Sequence, residues 1–268
     1  MNSKELVSII MPAYNVGEFI GESIDSVLNQ TYDNWELIIV NDNSSDSTLE
    51  VVAPYLIDQR IKLINNDTNL GGAGSRNIAI KESKGRYIAF LDSDDLWYSN
   101  KLSVHIEFME KNNVGFTYSD YKQFYNDKNN TPIFSPIKVN YKQMLKSNFI
   151  GCLTVVYDVD KFGKFFFPET KKRHDFALWL NMLKKFDFAY NVGEVLASYR
   201  VHNASLSSNK KDAFQSYLYI LYNLEGVNYF VAFLNTLLFT LLSLLKKKNS
   251  KLYVFIVKVV ISKVQFTK

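Results

Sequence analysis

One cysteine, Cys152, is all the thiol chemistry that these 268 residues hold. A lone cysteine excludes a disulfide framework and any metal site built on cysteine pairs. Histidine is almost as scarce, and His105, His174 and His202 lie too far apart for a zinc motif. Excess charge is missing too: a net +4 is too small for a nucleic-acid binder, so no nucleic-acid partner is expected. The opening residues, MNSKELVSII, lack a basic region followed by an apolar core and a cleavage site. They are therefore expected to lead into a first strand, not to form a signal peptide, and the expected setting is reducing. What the chain does have is apolar material, 47% hydrophobic and 15% aromatic, enough for one large or two small domains. Its positive charge is uneven: Lys246, Lys247, Lys248, Lys251, Lys258, Lys263 and Lys268 crowd the C-terminal end.

The most informative stretch is Arg86–Trp97, RYIAFLDSDDLW. Tyr87–Leu91 is an apolar run long enough for one buried strand. It ends in three closely spaced carboxylates, Asp92, Asp94 and Asp95. Like charges at this spacing repel and their desolvation costs add, so stability does not explain them. A divalent cation would repair the electrostatics, and hard oxygen ligands suit Mg²⁺ or Mn²⁺, which share their coordination with phosphates. The competing reading is an acidic turn with an Asp cap ahead of a helix over Leu96–Met109.

Upstream, apolar runs and helical periodicity alternate. Strands are predicted at Leu6–Tyr14, Trp35–Val40 and Ile61–Ile64, with helices at Gly17–Gln30, Thr48–Leu56 and about Ser75–Glu82. Such alternation predicts an α/β fold on a central, mostly parallel sheet, with ligands outside the carboxyl ends of the strands. Tyr14, Asn15, Asp42, Asp92 and Asp94 fall at those ends.

Two segments, PAYNVGEFIGESIDSVLNQTYDNWELIIVNDNSSDST and NLGGAGSRNIAIKESKGRYIAFLDSDDLW, resemble the family 2 glycosyltransferases of the GT-A fold. The likeness spans about the first hundred residues in order and spacing. It implies a Rossmann-like nucleotide-binding half and metal-assisted transfer of a sugar from a nucleotide-sugar, with inversion at the anomeric carbon. By the same resemblance Pro12, Ala13 and Tyr14 pack on the nucleotide base and ribose, and Asp42 accepts from the uracil edge. Asp92 is the ribose or metal-shell residue, Asp94 the metal ligand, and Arg76 faces the base or diphosphate. On the residues alone, Asp42 also reads as a turn residue and Arg76 as a solvated helix residue. Gly71–Arg76, GGAGSR, looks like the phosphate loop of sugar-nucleotidyltransferases, but it follows the third strand and not the first.

Farther on, a helix is predicted at Leu102–Met109, a strand at Gly115–Tyr121, a polar loop with two prolines at Asn126–Pro136, and a helix at Arg173–Leu183. Asp175 aligns with the family's general base, with His174 where a glutamate is usual. The alternative for Asp175 is a helix-start residue favoured by the macrodipole. SYRVHNASLS at Ser198–Ser207 resembles the family's segment near the end of the catalytic domain. There Arg200 and His202 reach the leaving diphosphate, or His202 completes the metal shell. The expected domains are a catalytic unit over 1–223, its nucleotide half about 1–100, and a basic helical tail over 224–268.

In that tail Val227–Leu245 carries no charge and Leu252–Ile261 is apolar apart from Lys258. A single span would put the final lysines across the membrane from the catalytic unit, so helices lying in the plane of the cytoplasmic face are expected. The alternative packs the tail on the catalytic unit or a second copy. The chemistry expected is a single displacement: cofactor Mn²⁺ or Mg²⁺, base Asp175, acceptor a glycan on a polyprenyl-diphosphate carrier in bacterial surface polysaccharide synthesis. The rivals are a nucleotidyltransferase and a non-catalytic membrane-bound assembly partner.

Overall fold

The computed structural model of the chain describes residues 4–125, 128–170, 172–201, 210–248, 250–261 and 264–266. The four expected strands are β1 (Val7–Ala13), β2 (Trp35–Asn41), β3 (Ile61–Asn65) and β4 (Tyr87–Phe90), all parallel, in the order β3-β2-β1-β4. β1, β2 and β4 are buried almost throughout, which is why they read as unbroken apolar runs. Their side chains alternate between two cores. Ile9, Met11, Leu37, Ile39 and Ala89 meet α1 (Ile20–Leu28) and α2 (Thr48–Val52) on one face. Ile10, Ile38, Val40, Ile88 and Phe90 meet α3 (Gly71–Glu82) and the second half of the chain on the other.

That second half runs β5 (Leu96–Trp97), α4 (Lys101–Asn112), β6 (Phe116–Tyr125), β7 (Lys128–Ile133), β8 (Lys138–Val139), α5 (Tyr141–Met144), β9 (Val156–Asp158) and α6 (Val159–Phe162). α7 (His174–Met182), β10 (Ala189–Arg200), α8 (Lys210–Tyr219), α9 (Tyr229–Lys248) and α10 (Ser250–Val260) complete it. The sheet continues β4-β9-β6-β10-β5. β9 is antiparallel to both neighbours, while β6 and β10 are parallel.

Three local expectations change. Leu96–Met109 is not one helix: Leu96 and Trp97 pair with Ser198 and Ala197 of β10, and the helix starts at Lys101. The acidic stretch is thereby fixed at both ends by strands and is not the cap of a helix. The helix expected from Ser75 begins at Gly71, so the glycine-rich segment is its first turn. The loop expected over Asn126–Pro136 contains β7, paired with β6 from Tyr121↔Ile133 to Gln123↔Thr131. Pro132 fits there because β7 has one partner strand, so its missing N–H is not needed.

The tail helices share the core of the chain's second half. Ala232, Thr236, Phe239 and Leu242 of α9 are buried at helical spacing, as are Tyr253 and Val257 of α10. Another face stays bare, with Phe230, Phe255 and Val259 exposed by 64–67%. Among the described residues no helix is long and apolar enough to cross a membrane.

Candidate active site

The carboxyl ends of β1, β2 and β4 open onto one region. Ala13 is buried in register with Asn41, Pro12 is half-buried, and Tyr14 just beyond is 51% exposed. Asp42 donates its main-chain N–H to the Ala13 carbonyl, joining the two strand ends. Its Oδ1 accepts from the Leu70 N–H and from Asn66 Nδ2, each at 2.8 Å. The Asp42 carboxylate therefore shapes the loop that enters α3.

From α3, Arg76 donates through Nη2 to Asp92 Oδ1 and stacks over the Phe167 ring at 5.3 Å. Burial works against its charge, and the Asp92 carboxylate more than offsets this, so its pKa lies above the ordinary value. A Cβ at Gly72 would sit 2.9 Å from Arg76 Nη1, so the glycine clears space for the guanidinium. The expected solvent- or ligand-facing arginine is thus already paired with the first aspartate of the strand-end cluster.

Arg200 anchors the other end of that cluster. Its main-chain N–H donates to Asp95 Oδ1 at 2.8 Å and its Nε to the Asp94 carbonyl at 2.8 Å. Nη2 donates to Glu22 Oε2 at 2.6 Å, and the guanidinium lies over Phe19 and Phe124 at 4.8 and 4.6 Å. Ser23 Oγ of α1 donates to the Ser93 carbonyl at 2.9 Å, so α1 and β10 grip the loop together. Asp95 is fully buried and its Oδ2 has no hydrogen-bond partner. Burial first, then the Asp94 and Asp92 charges, push its pKa well above the usual carboxylate range.

α7 delivers Asp175 to the same region, since its charge acts on Arg76 of α3, on Tyr121 of β6 and on Cys152. Cys152, half-buried, also feels Arg76, Asp92 and Asp95, and burial pushes its thiol up. His174 Nδ1 lies 3.2 Å from the Thr170 carbonyl. Burial, then the Arg76 charge, lower its pKa, which favours the neutral imidazole at a position where a glutamate would add negative charge. His202 lies outside the described residues.

Pro12, Ala13, Tyr14, Asp42, Arg76, Asp92, Asp94, Asp175 and Arg200 were all expected from sequence. Cys152, Glu22 and Phe19 were not, because nothing in the local pattern brings the loop before β9 or the outer face of α1 to the aspartates. Among the described residues no group of three His, Cys, Asp or Glu side chains is arranged to hold an ion. The donors suit an open site all the same: two hard carboxylates, Asp92 and Asp94, beside the orphaned Oδ2 of Asp95, with phosphate oxygens to complete the shell of Mg²⁺ or Mn²⁺.

Residues 8–163 match the model of the family described as Glycosyl transferase family 2. The chain is 47% identical over 206 residues to the Escherichia coli UDP-Glc:alpha-D-GlcNAc-diphosphoundecaprenol beta-1,3-glucosyltransferase WfgD, covering 76% of this chain and 81% of that one. It is 39% identical over 236 residues to the putative teichuronic acid biosynthesis glycosyltransferase TuaG of Bacillus subtilis, covering 86% and 93%. Among solved structures, S. aureus TarS 1–349 in complex with UDP-GlcNAc superposes with a TM-score of 0.68 at 20% identity, covering 87% of this chain and 72% of that one. The likeness to TarS establishes a shared GT-A fold.

Proposed function

The chain belongs to glycosyl transferase family 2 and is a glycosyltransferase, and from that premise we propose that it moves a sugar from a UDP-sugar to a hydroxyl of a glycan on a polyprenyl-diphosphate carrier. The displacement is single and inverts the anomeric carbon. The donor and acceptor named for WfgD support this choice of substrates. The carrying observation is the strand-end cluster itself, with Arg76 of α3 bonded to Asp92 and Arg200 of β10 bonded to Asp95 and to the Asp94 carbonyl.

Tyr14, with Pro12 and Ala13 beneath it, offers a surface for the uracil and ribose. Asp42 holds the wall of that pocket through Leu70 and Asn66 and accepts from the uracil imide N–H. Asp94, with Asp92 beside it, would hold Mg²⁺ or Mn²⁺. When bound, the ion supplies positive charge for the departing diphosphate. Arg76 adds fixed positive charge next to Asp92, and Arg200 keeps the loop in place through the Asp94 carbonyl. Asp175 accepts the proton of the acceptor hydroxyl as its oxygen attacks C1. No acid is required, because a diphosphate departs without protonation, and one carboxylate base suffices.

The exposed apolar residues of α9 and α10 and the lysine-rich C-terminal sequence support a peripheral position on the cytoplasmic face of the plasma membrane, where a lipid-linked acceptor lies. The deciding experiment incubates purified protein and Mn²⁺ with a panel of UDP- and GDP-sugars, with and without a polyprenyl-diphosphate-linked glycan. Metal-dependent UDP release that rises with acceptor is expected. Pyrophosphate release from a nucleoside triphosphate and a sugar phosphate, with no UDP release from any donor, would overturn it.

A further inference from the structure

Arg173 combines two energetic costs at one position. Its backbone is left-handed, φ 63° and ψ 33°, a conformation that strains an L-residue and costs a glycine almost nothing. Its guanidinium is taken largely out of water, and burial lowers its pKa. The carboxylate whose charge opposes that lowering is Asp175, two residues on.

The guanidinium is held by rings. It lies 4.5 Å from the Phe239 centroid and 5.9 Å from that of Tyr217, and Nε donates to the Ala213 carbonyl at 3.3 Å. Those rings form a stack that starts on α7 itself: Phe176 on Tyr217 at 4.5 Å and 12°, then Tyr217 on Phe239 at 4.2 Å and 10°. Lys172 adds an ion pair to Asp212 at 2.9 Å. His174 and Asp175 are therefore bracketed by Arg173 and Phe176, both fastened to α8 and α9. A glycine at 173 would remove the strain and leave the three-ring stack in place, but it would give up the guanidinium's contacts with those rings and with the Ala213 carbonyl, so the left-handed turn is kept together with the fastening of the start of α7 to α8 and α9. Strain of this kind persists where a site uses it.

We propose that Arg173 is a positioning residue for the transfer step: its left-handed turn sets the entry of α7, and its guanidinium, pinned on the α8–α9 rings, holds that entry, with Asp175 in its first turn, in place. This rests on Asp175 being the base. The Asp175 charge also reaches Arg76 from α3, His174 from α7, Tyr121 from β6 and Cys152.

The test compares the full-length enzyme with Arg173→Gly, Arg173→Lys and Arg173→Gly/Asp175→Asn, using the UDP-sugar found active in the donor panel. Arg173→Gly is expected to keep UDP affinity in Mn²⁺ and donor KM within about twofold. Its kcat should fall roughly 10- to 100-fold, the scale of a misplaced reacting group. Arg173→Lys retains the charge without the planar stack; it should lose several-fold in kcat. Adding Arg173→Gly to Asp175→Asn should cost nothing further. An Arg173→Gly enzyme with wild-type kcat, whatever its unfolding midpoint, would overturn the proposal. So would full kcat in Arg173→Lys if the glycine variant does not fold. Wild-type protein that turns over no donor would instead sink the transferase reading.

Discussion

Asp94 and Asp175 carry opposite halves of the proposed chemistry, so their variants should fail differently. Asp94→Ala deletes the anion that fixes the cation; metal-dependent UDP binding should disappear and turnover fall by several orders of magnitude. Near-normal turnover in Mn²⁺ would remove Asp94 from the metal site. Asp175→Asn is nearly isosteric, so UDP affinity by calorimetry should hold while transfer drops roughly 10²–10⁴-fold. Lost affinity would place Asp175 in the donor pocket instead. A third residue tests stability. Lys101 is fully buried, with Nζ 3.0 Å from the Thr154 carbonyl and 3.3 Å from His105 Nε2. Burial pushes its pKa well below the ordinary value. A lysine depressed in the fold must release its proton on folding, so stability should rise with pH from neutrality toward the unfolded value of about 10.4. Denaturant midpoints at two pH values in that window should show a smaller rise in Lys101→Met, by at most about 1.4 kcal/mol per pH unit; an unchanged slope would mean Lys101 stays charged inside. Residue identities at the site were legible because each of Asp42, Asp92, Asp94 and Asp175 is a charged residue where an apolar segment starts or stops. Their partners were not: Arg76 meets Asp92 across 16 positions and Arg200 meets Asp95 across 105, separations that no local pattern records.

At the scale of elements, periodicity found strands and helices but not which face of an all-apolar helix turns inward. α9 shows this most plainly, since nearly every position is apolar and the hydrophobic pattern offers no preferred side. The fold chooses the line through Ala232, Thr236, Phe239 and Leu242. Leu241 and Leu242 are therefore neighbours with opposite fates, 50% and 0% exposed. Leu242→Ala should lower stability by about 2–5 kcal/mol, whereas Leu241→Ala should stay within about 0.5 kcal/mol. Equal costs in urea unfolding would mean α9 is rotated. β5 and β7 were missed for a related reason. A two-residue strand has too little pattern to register, and β7 is polar because its edge position demands no apolar pair.

For the whole molecule, the tail is neither a separate anchor nor an ordinary helical cap. It completes the core from within, so cutting at Val227 would strip Phe239 and Leu242 from it and do more than release the protein from a surface. Outward, it presents Phe230, Leu234, Phe255 and Val259, and the chain carries seven lysines and no acid after Glu225. Full-length enzyme should sediment with vesicles containing anionic phosphatidylglycerol, less with neutral ones, and less as salt rises. Phe255→Glu with Val259→Glu should weaken this without shifting the unfolding midpoint. A protein that stays in the supernatant as a stable dimer would give that face to a second copy. The sequence alone determined the parallel first half and the strand-end aspartates, because burial periodicity and charge at strand ends are local properties of the chain, and its motifs carried the resemblance to the family. Only the tertiary structure decided that α8 and α9 stand behind the start of α7, that Arg200 grips the Asp94–Asp95 turn, and which tail face is bare. Those are contacts between segments far apart in sequence, and packing, not propensity, chooses them.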